Sequence, residues 1–428
     1  MPAAGAAPAP RYVRWTLWAM MVLLFALPCV IGRNVTFIVL LGGLAVLLTP
    51  SVLQARRGAD RNLVDLVFTA VFAAMAVAFV ITAEDASDLP YILNFAPLLL
   101  AIPFRWQLQR LARLDAAVII GWLSLAGTIG AAGLAMVQIL VFNHSRVGQP
   151  HMNTFHYANT TMLLGFTTLA GWFAPGTHRR WPFLLGPVIG IAAVLASGTR
   201  GAILAAPPLV LVAFVFALVT ARNKRPVIYA GVAGVVLLAL LAVLALSLGF
   251  GRTLEAFAAS VNAVAGGEVD SNIAERLHMW IGGWRAFLAA PLFGYGWIDM
   301  VPAIYQHVDP AYEERMHLFR HLHNGIISFA AGAGLVGVVS FIALSVVPIF
   351  AVLTTPRDGQ FVSRLYLAVT MCSAYAVFQL SFLLLGFDFH TVQYAYMTMV
   401  FVAFVRDPAA PQSAAGNSAV GSETTKAV

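Results

Sequence analysis

The sequence predicts an all-α integral membrane protein, a polytopic bundle of about 12 transmembrane helices with one long loop on one side. Three observations carry this. Hydrophobic residues make up 60% of the 428 positions, charged residues 10%, and mean hydropathy is +0.84, which leaves too little polar surface for a soluble domain. Apolar runs able to cross about 30 Å of hydrocarbon recur, starting near residues 13, 35, 63, 91, 116, 155, 182, 203, 226, 326, 365 and 391. Basic residues are sorted by side: of 25 Lys and Arg, only Arg33, Arg146, Arg200, Arg252, Arg276, Arg285, Arg315 and Arg320 fall in the second set of alternating segments.

Taken in order, residues 1–249 supply the first nine spans with short loops. The span near 13–32 is expected to stay in place, because its leading residues carry no side-chain charge and no small-x-small cleavage site follows. Pro28, Pro207 and Pro208 lie within apolar runs, where neighbouring helices can satisfy the freed backbone groups. Residues 250–325 form the long loop, 326–406 the last three spans, and 407–428 an Ala-, Pro-, Ser- and Gly-rich tail too poor in apolar surface to fold. The positive-inside bias puts both termini in the cytoplasm and the long loop on the far side. The sequence pI of about 9.7 therefore reports topogenic charge, not nucleic-acid binding. Cys29 and Cys372 fall at opposite depths, so they read as packing thiols and not as a disulfide.

Polar chemistry gathers in the long loop. Ile273, Leu277, Trp280, Trp284 and Leu288 draw an apolar stripe down a helix ended by Pro291, as expected of a helix lying on the membrane surface. Arg276 and Arg285 sit off the centre of that stripe, facing water or an anionic headgroup. Gly294-Tyr295-Gly296 then reverses the chain, and Tyr312 to His323 reads as a second helix. Four histidines, His307, His317, His321 and His323, crowd this return segment. His317 and His321 would share a helix face, but no acidic or cysteine ligand follows at a zinc spacing, so no metal and no cofactor are expected. A general base is one reading of the histidines, since neutral imidazole suits removal of a hydroxyl proton; hydrogen bonding to headgroups is the other. Glu84, Asp85 and Asp88 read as a solvated turn, and Asp388 as a loop carboxylate able to orient a histidine or arginine.

His323-Asn324, nine residues, then Gly334-Leu335-Val336-Gly337 resembles the His-(Asn/Ser/Gln)-x9-Gly-x-x-(Gly/Thr/Tyr) pattern of bacterial O-antigen ligases. That family belongs to a ligase and polymerase superfamily with a GT-C type membrane fold. Ser197-Gly198-Thr199-Arg200-Gly201, Arg276-Leu277-His278-Met279-Trp280, and Arg146-Val147-Gly148 with Asn153 extend the likeness over most of the chain.

The resemblance implies transfer of O-antigen from undecaprenyl pyrophosphate to lipid A-core oligosaccharide at the periplasmic face of the inner membrane. Under it, His323 is the base, Arg276 and Arg200 hold the pyrophosphate by bidentate contacts, and inversion follows a single displacement. Arg146, His321, Asn324, Trp280 and Arg285 are the further substrate-binding candidates. Partners are then the two lipid-linked glycans and membrane lipids, with no nucleic acid and a monomer as the plausible state. An O-antigen polymerase would use the same donor, yet only one outer loop is large here; a protein O-oligosaccharyltransferase generally carries a longer carboxyl-terminal region. A transporter or flippase would place ionisable residues at mid-membrane, whereas Asp65 and Asp115 fall at the cytoplasmic ends of their spans.

Overall fold

The computed structural model describes residues 10–59, 62–111, 116–144, 146–148, 150, 152–176, 180–225, 227–229, 231, 271–308, 310–380 and 389–403. Among these every regular element is helical. Six helical segments are long and apolar enough to cross a membrane: Leu63–Thr82, Leu89–Leu111, Ala116–Leu140, Gly201–Thr220, Gly325–Leu353 and Phe361–Phe378. A seventh candidate, Asn34–Leu47 with Ser51–Arg57, is bent by 81°. Shorter helices, Arg11–Phe25, Thr154–Thr167, Trp181–Ser197 and Phe389–Ala403, occupy four further predicted positions. The run near 226, residues 250–270 and the tail lie mostly or wholly outside the described residues.

We number the longer helices α1 (Arg11–Phe25), α2 (Asn34–Leu47), α3 (Ser51–Gly58), α4 (Leu63–Thr82), α5 (Ala96–Leu108), α6 (Ala116–Leu140), α7 (Thr154–Thr167), α8 (Leu185–Ser197), α9 (Ala206–Thr220), α10 (Ser271–Ala289), α11 (Pro310–Met316), α12 (Gly325–Leu353), α13 (Phe361–Phe378) and α14 (Phe389–Ala403). Helix α14 lies in the middle: every residue from His390 to Ala403 is buried, packed against α5, α13 and α2. A helix covered on all sides is a core helix, although this one carries Gln393, Tyr394, Tyr396 and Thr398. Tyr394 donates to the Leu344 carbonyl and the Thr398 hydroxyl to Met371 Sδ. Helices α7 and α8 meet closely, with Gly165 facing Gly186 and Gly190, the small-residue contact that dispersion-driven packing in lipid favours. Cys29 and Cys372 are free thiols.

Opposite ends of the bundle differ in chemistry. At one end, Arg105 forks onto Asp65, donating from Nε at 2.8 Å, and Trp106 donates to the same carboxylate at 2.9 Å. The guanidinium of Arg56 lies 6.0 Å from the Trp106 ring. The other end carries the histidine-rich loop.

Helix α12 joins that loop to the bundle through a break. Ala333 and Gly334 leave helical geometry, Gly334 taking φ +60°. A side chain at Gly334 would run into the Leu292 backbone, so the position requires glycine twice over. The turn after α10 fills the break: Tyr295 and Gly296 donate to the Ala331 and Gly332 carbonyls, both at 3.0 Å, and Leu335 donates to Pro291 at 2.7 Å. Backbone groups exposed by the break are thereby satisfied in place, as a membrane-embedded kink needs. The Gly-x-x-Gly end of the motif thus splices the turn after α10 into the long apolar helix α12.

Candidate functional site

Four residues close the loop before α12. Asn324 adopts extended geometry and caps the helix, its Oδ1 accepting from Ile327 N at 3.2 Å. Gly325 N donates to the Gln379 carbonyl at 2.8 Å, which ties this cap to the end of α13. His323 has φ +49°, a left-handed conformation costing roughly 1–2 kcal/mol in a residue with a Cβ. Its backbone N–H donates to His321 Nδ1 at 3.2 Å, and the two rings lie 4.3 Å apart. Strain of this kind persists where surrounding contacts over-determine the backbone, and it clusters at functional sites.

The expected helix from Tyr312 to His323 ends early. Helix α11 stops at Met316, and 317–324 is irregular chain. His317 and His321 therefore do not share a helix face; His317 packs on Tyr305 at 4.2 Å and stays exposed. No group of three metal-ligating side chains occurs among the described residues. The reason is the cap: Asn324 needs extended geometry to start α12, and a helix running through 323 would forbid it.

Helix α10 supplies the other wall and ends at Ala289, before Pro291. Its apolar stripe points away from the protein, with Leu277, Trp284 and Leu288 exposed at 37%, 50% and 59%. Trp280 turns inward: its indole N–H donates to the Leu322 carbonyl at 3.1 Å, bracing the segment between the two histidines. His278 stacks on Tyr312 at 4.2 Å, and Arg285, exposed, donates to the His307 carbonyl at 3.1 Å. Arg276 is half-buried, and that burial pulls its guanidinium pKa below the ordinary value, a sign of desolvation.

Electrostatics bring these parts together. His321 is held at a pKa of about 4, first by burial, then by the charges of Arg276 and His156. It is neutral at pH 7. Because Nδ1 accepts a hydrogen bond, the ring proton of the neutral form sits on Nε2, leaving a donor directed away from the His323 backbone. A guanidinium beside a neutral N–H donor in a partly dry place is suited to an anion.

Sequence reasoning missed the bundle side of this site. His156, on the first turn of α7, packs against His390, on the first turn of α14, at 4.4 Å between rings. Asn159 lies 3.4 Å from His390 through its Nδ2, and the Tyr375 hydroxyl donates to Gln393 Oε1 at 3.2 Å. Asn159 Oδ1, Gln393 Nε2 and both amide atoms of Gln379 are buried and have no hydrogen-bond partner among the described residues. Each such atom costs about 1–3 kcal/mol. A polar run of His156, Asn159 and Thr160 at the head of an apolar helix was the available signal.

Of the remaining candidates, Arg200 begins a helical turn, Arg200–Ile203, one residue past Thr199, but its side chain lies outside the described residues, as does Asp388. The preceding Ser197 hydroxyl donates to Thr199 at 3.0 Å, which shapes that turn. Arg146 is exposed on the loop before α7. Glu84 and Asp85 are exposed, and Asp88 accepts from both of their backbone N–H groups, at 2.9 and 3.3 Å, as a solvated turn does.

Residues 185–342 match the protein family described as O-antigen ligase. That match spans α8, α9, α10, α11 and the first part of α12, and so includes Arg200, Arg276, His321, His323 and Gly334. No curated protein matches the chain.

Proposed function

We propose that this chain is an O-antigen ligase proper, joining O-antigen polysaccharide from undecaprenyl pyrophosphate to lipid A-core oligosaccharide, a reading supported by the family match over residues 185–342. The bundle crosses the bacterial inner membrane about 12 times, as the apolar runs of the sequence suggest, and the site opens to the periplasm. One observation carries the reading: the strained His323, neutral His321 and desolvated Arg276 converge where the interfacial helix α10 is spliced into the spanning helix α12. That is the depth at which two lipid-anchored glycans can meet.

In the reaction, an acceptor hydroxyl attacks the anomeric carbon of the donor as the bond from that carbon to the phosphate oxygen breaks. His323 takes the hydroxyl proton, and the electron pair leaves with the pyrophosphate. Arg276 and Arg200 neutralise the growing charge through their guanidinium forks, so arginines occupy the role a divalent ion has elsewhere. Asn324 holds the base at its height by capping α12, and Trp280 holds the chain between His321 and His323. Attack from the face opposite the leaving group inverts the anomeric centre.

Reconstitution of the purified chain with lipid-linked O-antigen, with lipid A-core as acceptor, is the test. A joined product with that acceptor alone supports the ligase. Product with a second repeat unit or with a protein acceptor would replace it by the polymerase or the protein transferase, and no product with any acceptor would favour transport.

A further inference from the structure

The histidine pair on the bundle side takes no part in the proton transfer to His323 or in the arginine contacts. His390 is 2% exposed, fixed by Asn159 at 3.4 Å, by the Tyr375 hydroxyl donating to its carbonyl at 3.2 Å, and by stacking on Phe378. His156 rests on this fixed ring, is itself only half-buried, and lies close enough to His321 to act on its charge. Arg276 acts on the same imidazole from the loop side. His321 thus has one basic neighbour from α10 and one from α7, and the hydrogen bond from Gly325 N to the Gln379 carbonyl brings the end of α13, on which His390 stacks, to the same cap.

Two further features point to a polar ligand there. Asn159 Oδ1, Gln393 Nε2 and the Gln379 amide are buried without hydrogen-bond partners among the described residues, although apolar side chains would have filled the same volume at no such penalty. His156 also stands on the first turn of a 14-residue helix, where backbone N–H groups and the helix dipole favour negative charge.

We propose that His156 binds the donor's diphosphate from the bundle side, its imidazole N–H donating to a phosphate oxygen that Arg276 holds from the loop side, with His390 positioning the His156 ring. The proposal rests on the reading of this site as one for a lipid diphosphate. No bond forms or breaks at His156; it stabilises the charge that the departing diphosphate gains. His390 touches no substrate and acts only through the ring it supports.

The test uses farnesyl diphosphate as probe and the full chain in lipid nanodiscs, with affinity measured by calorimetry. His156→Ala should weaken binding about tenfold or more, as expected for loss of one charge-assisted hydrogen bond. His156→Gln, whose amide N–H can still donate, should stay within about threefold of the parent. His156→Leu, close in size and without a donor, should behave as His156→Ala and guards against a cavity that unfolds the chain. In the transfer assay His390→Ala should raise the donor KM while leaving the acceptor KM unchanged, a split that a general loss of structure would not produce. If the parent protein fails to bind farnesyl diphosphate, the diphosphate reading itself falls. If it binds and both His156→Ala and His156→Leu bind equally well, only the role of His156 falls.

Discussion

The backbone N–H of His323 donates to Nδ1 of His321 at 3.2 Å, so the second histidine holds the first in its left-handed conformation. The pairing requires His321 to keep Nδ1 unprotonated, and burial with two basic neighbours keeps it so. One imidazole thus sets the backbone from which the other projects, and both lie beside the carbonyl that Trp280 grips.

Protonating His321 should therefore cost stability. Its folded pKa of about 4 lies below the ordinary value near 6.5, so between those limits the unfolded chain takes up a proton that the folded chain refuses. The contribution is complete above about pH 6.5 and is lost as pH falls towards 4. The melting temperature should drop from pH 7 to 5, a range above most carboxylate titration, and His321→Gln should show a shallower drop. Equal slopes would mean that His321 is not held neutral.

His323→Ala should reduce transfer by about 10²–10⁴-fold, the usual contribution of a positioned base. Melting should change little or rise, because alanine does not add to the strain at φ +49°. Near-parental product formation by folded His323→Ala would remove the base assignment.

Arg276→Ala should lower kcat/KM by roughly 10–100-fold, and Arg276→Lys should recover only part of it, since an ammonium cannot reproduce the bidentate fork. The same order, Arg above Lys above Ala, is expected at Arg200. Donor titrations at saturating acceptor measure both. Identical values for the Lys and Ala variants would argue that neither side chain meets the diphosphate.

Much of this was legible in the sequence, and the parts that were not share a cause. The fold class follows from hydropathy, and the placement of His323, Asn324 and Gly334 follows from local rules, a cap and a break, that need only neighbouring residues. The end of α10 before Pro291 is legible for the same reason. What depends on distant chain was hidden. Periodicity carried a helix through His323, but the extended geometry at Asn324 ends it, and no count of apolar residues reports on a cap's demand for space. Trp280 fits the apolar stripe by spacing, yet it turns in because the Leu322 carbonyl offers its N–H a partner. His156 and His390 are separated by more than half the chain and meet only because α14 runs through the middle of the bundle. Helix α7 is likewise shorter than its apolar run, because the chain interrupts it at Thr168 before a further turn at Leu169–Phe173, a break that composition averages away.

Chelation should leave transfer intact. Among the described residues the site gathers Arg276 and imidazoles, and no cluster of metal ligands occurs there. Turnover in EDTA should match turnover in added Mg²⁺ to within about twofold, the scatter expected when charge neutralisation comes from the chain itself. Loss of activity in EDTA, restored by a divalent ion, would overturn the arginine-only account of leaving-group stabilisation.

The splice at Gly334 makes the sharpest structural prediction. Gly334→Ala must either keep φ +60°, at roughly 1–2 kcal/mol, or shift the chain, and in both cases the new methyl meets the Leu292 backbone. Displacing Leu292 would strain the hydrogen bonds that Leu335 and Gly296 make across the break, and with them the seat of α10 that carries Arg276. Gly332→Ala is the control: its methyl would approach nothing nearer than 3.5 Å, and its helix gains propensity. Gly334→Ala should melt several degrees lower and lose most transfer activity, while Gly332→Ala stays at or above the parent in melting temperature and keeps its rate. If the two variants matched in both measurements, the break would be a tolerated kink, and the position of Arg276 would have to be set by other contacts.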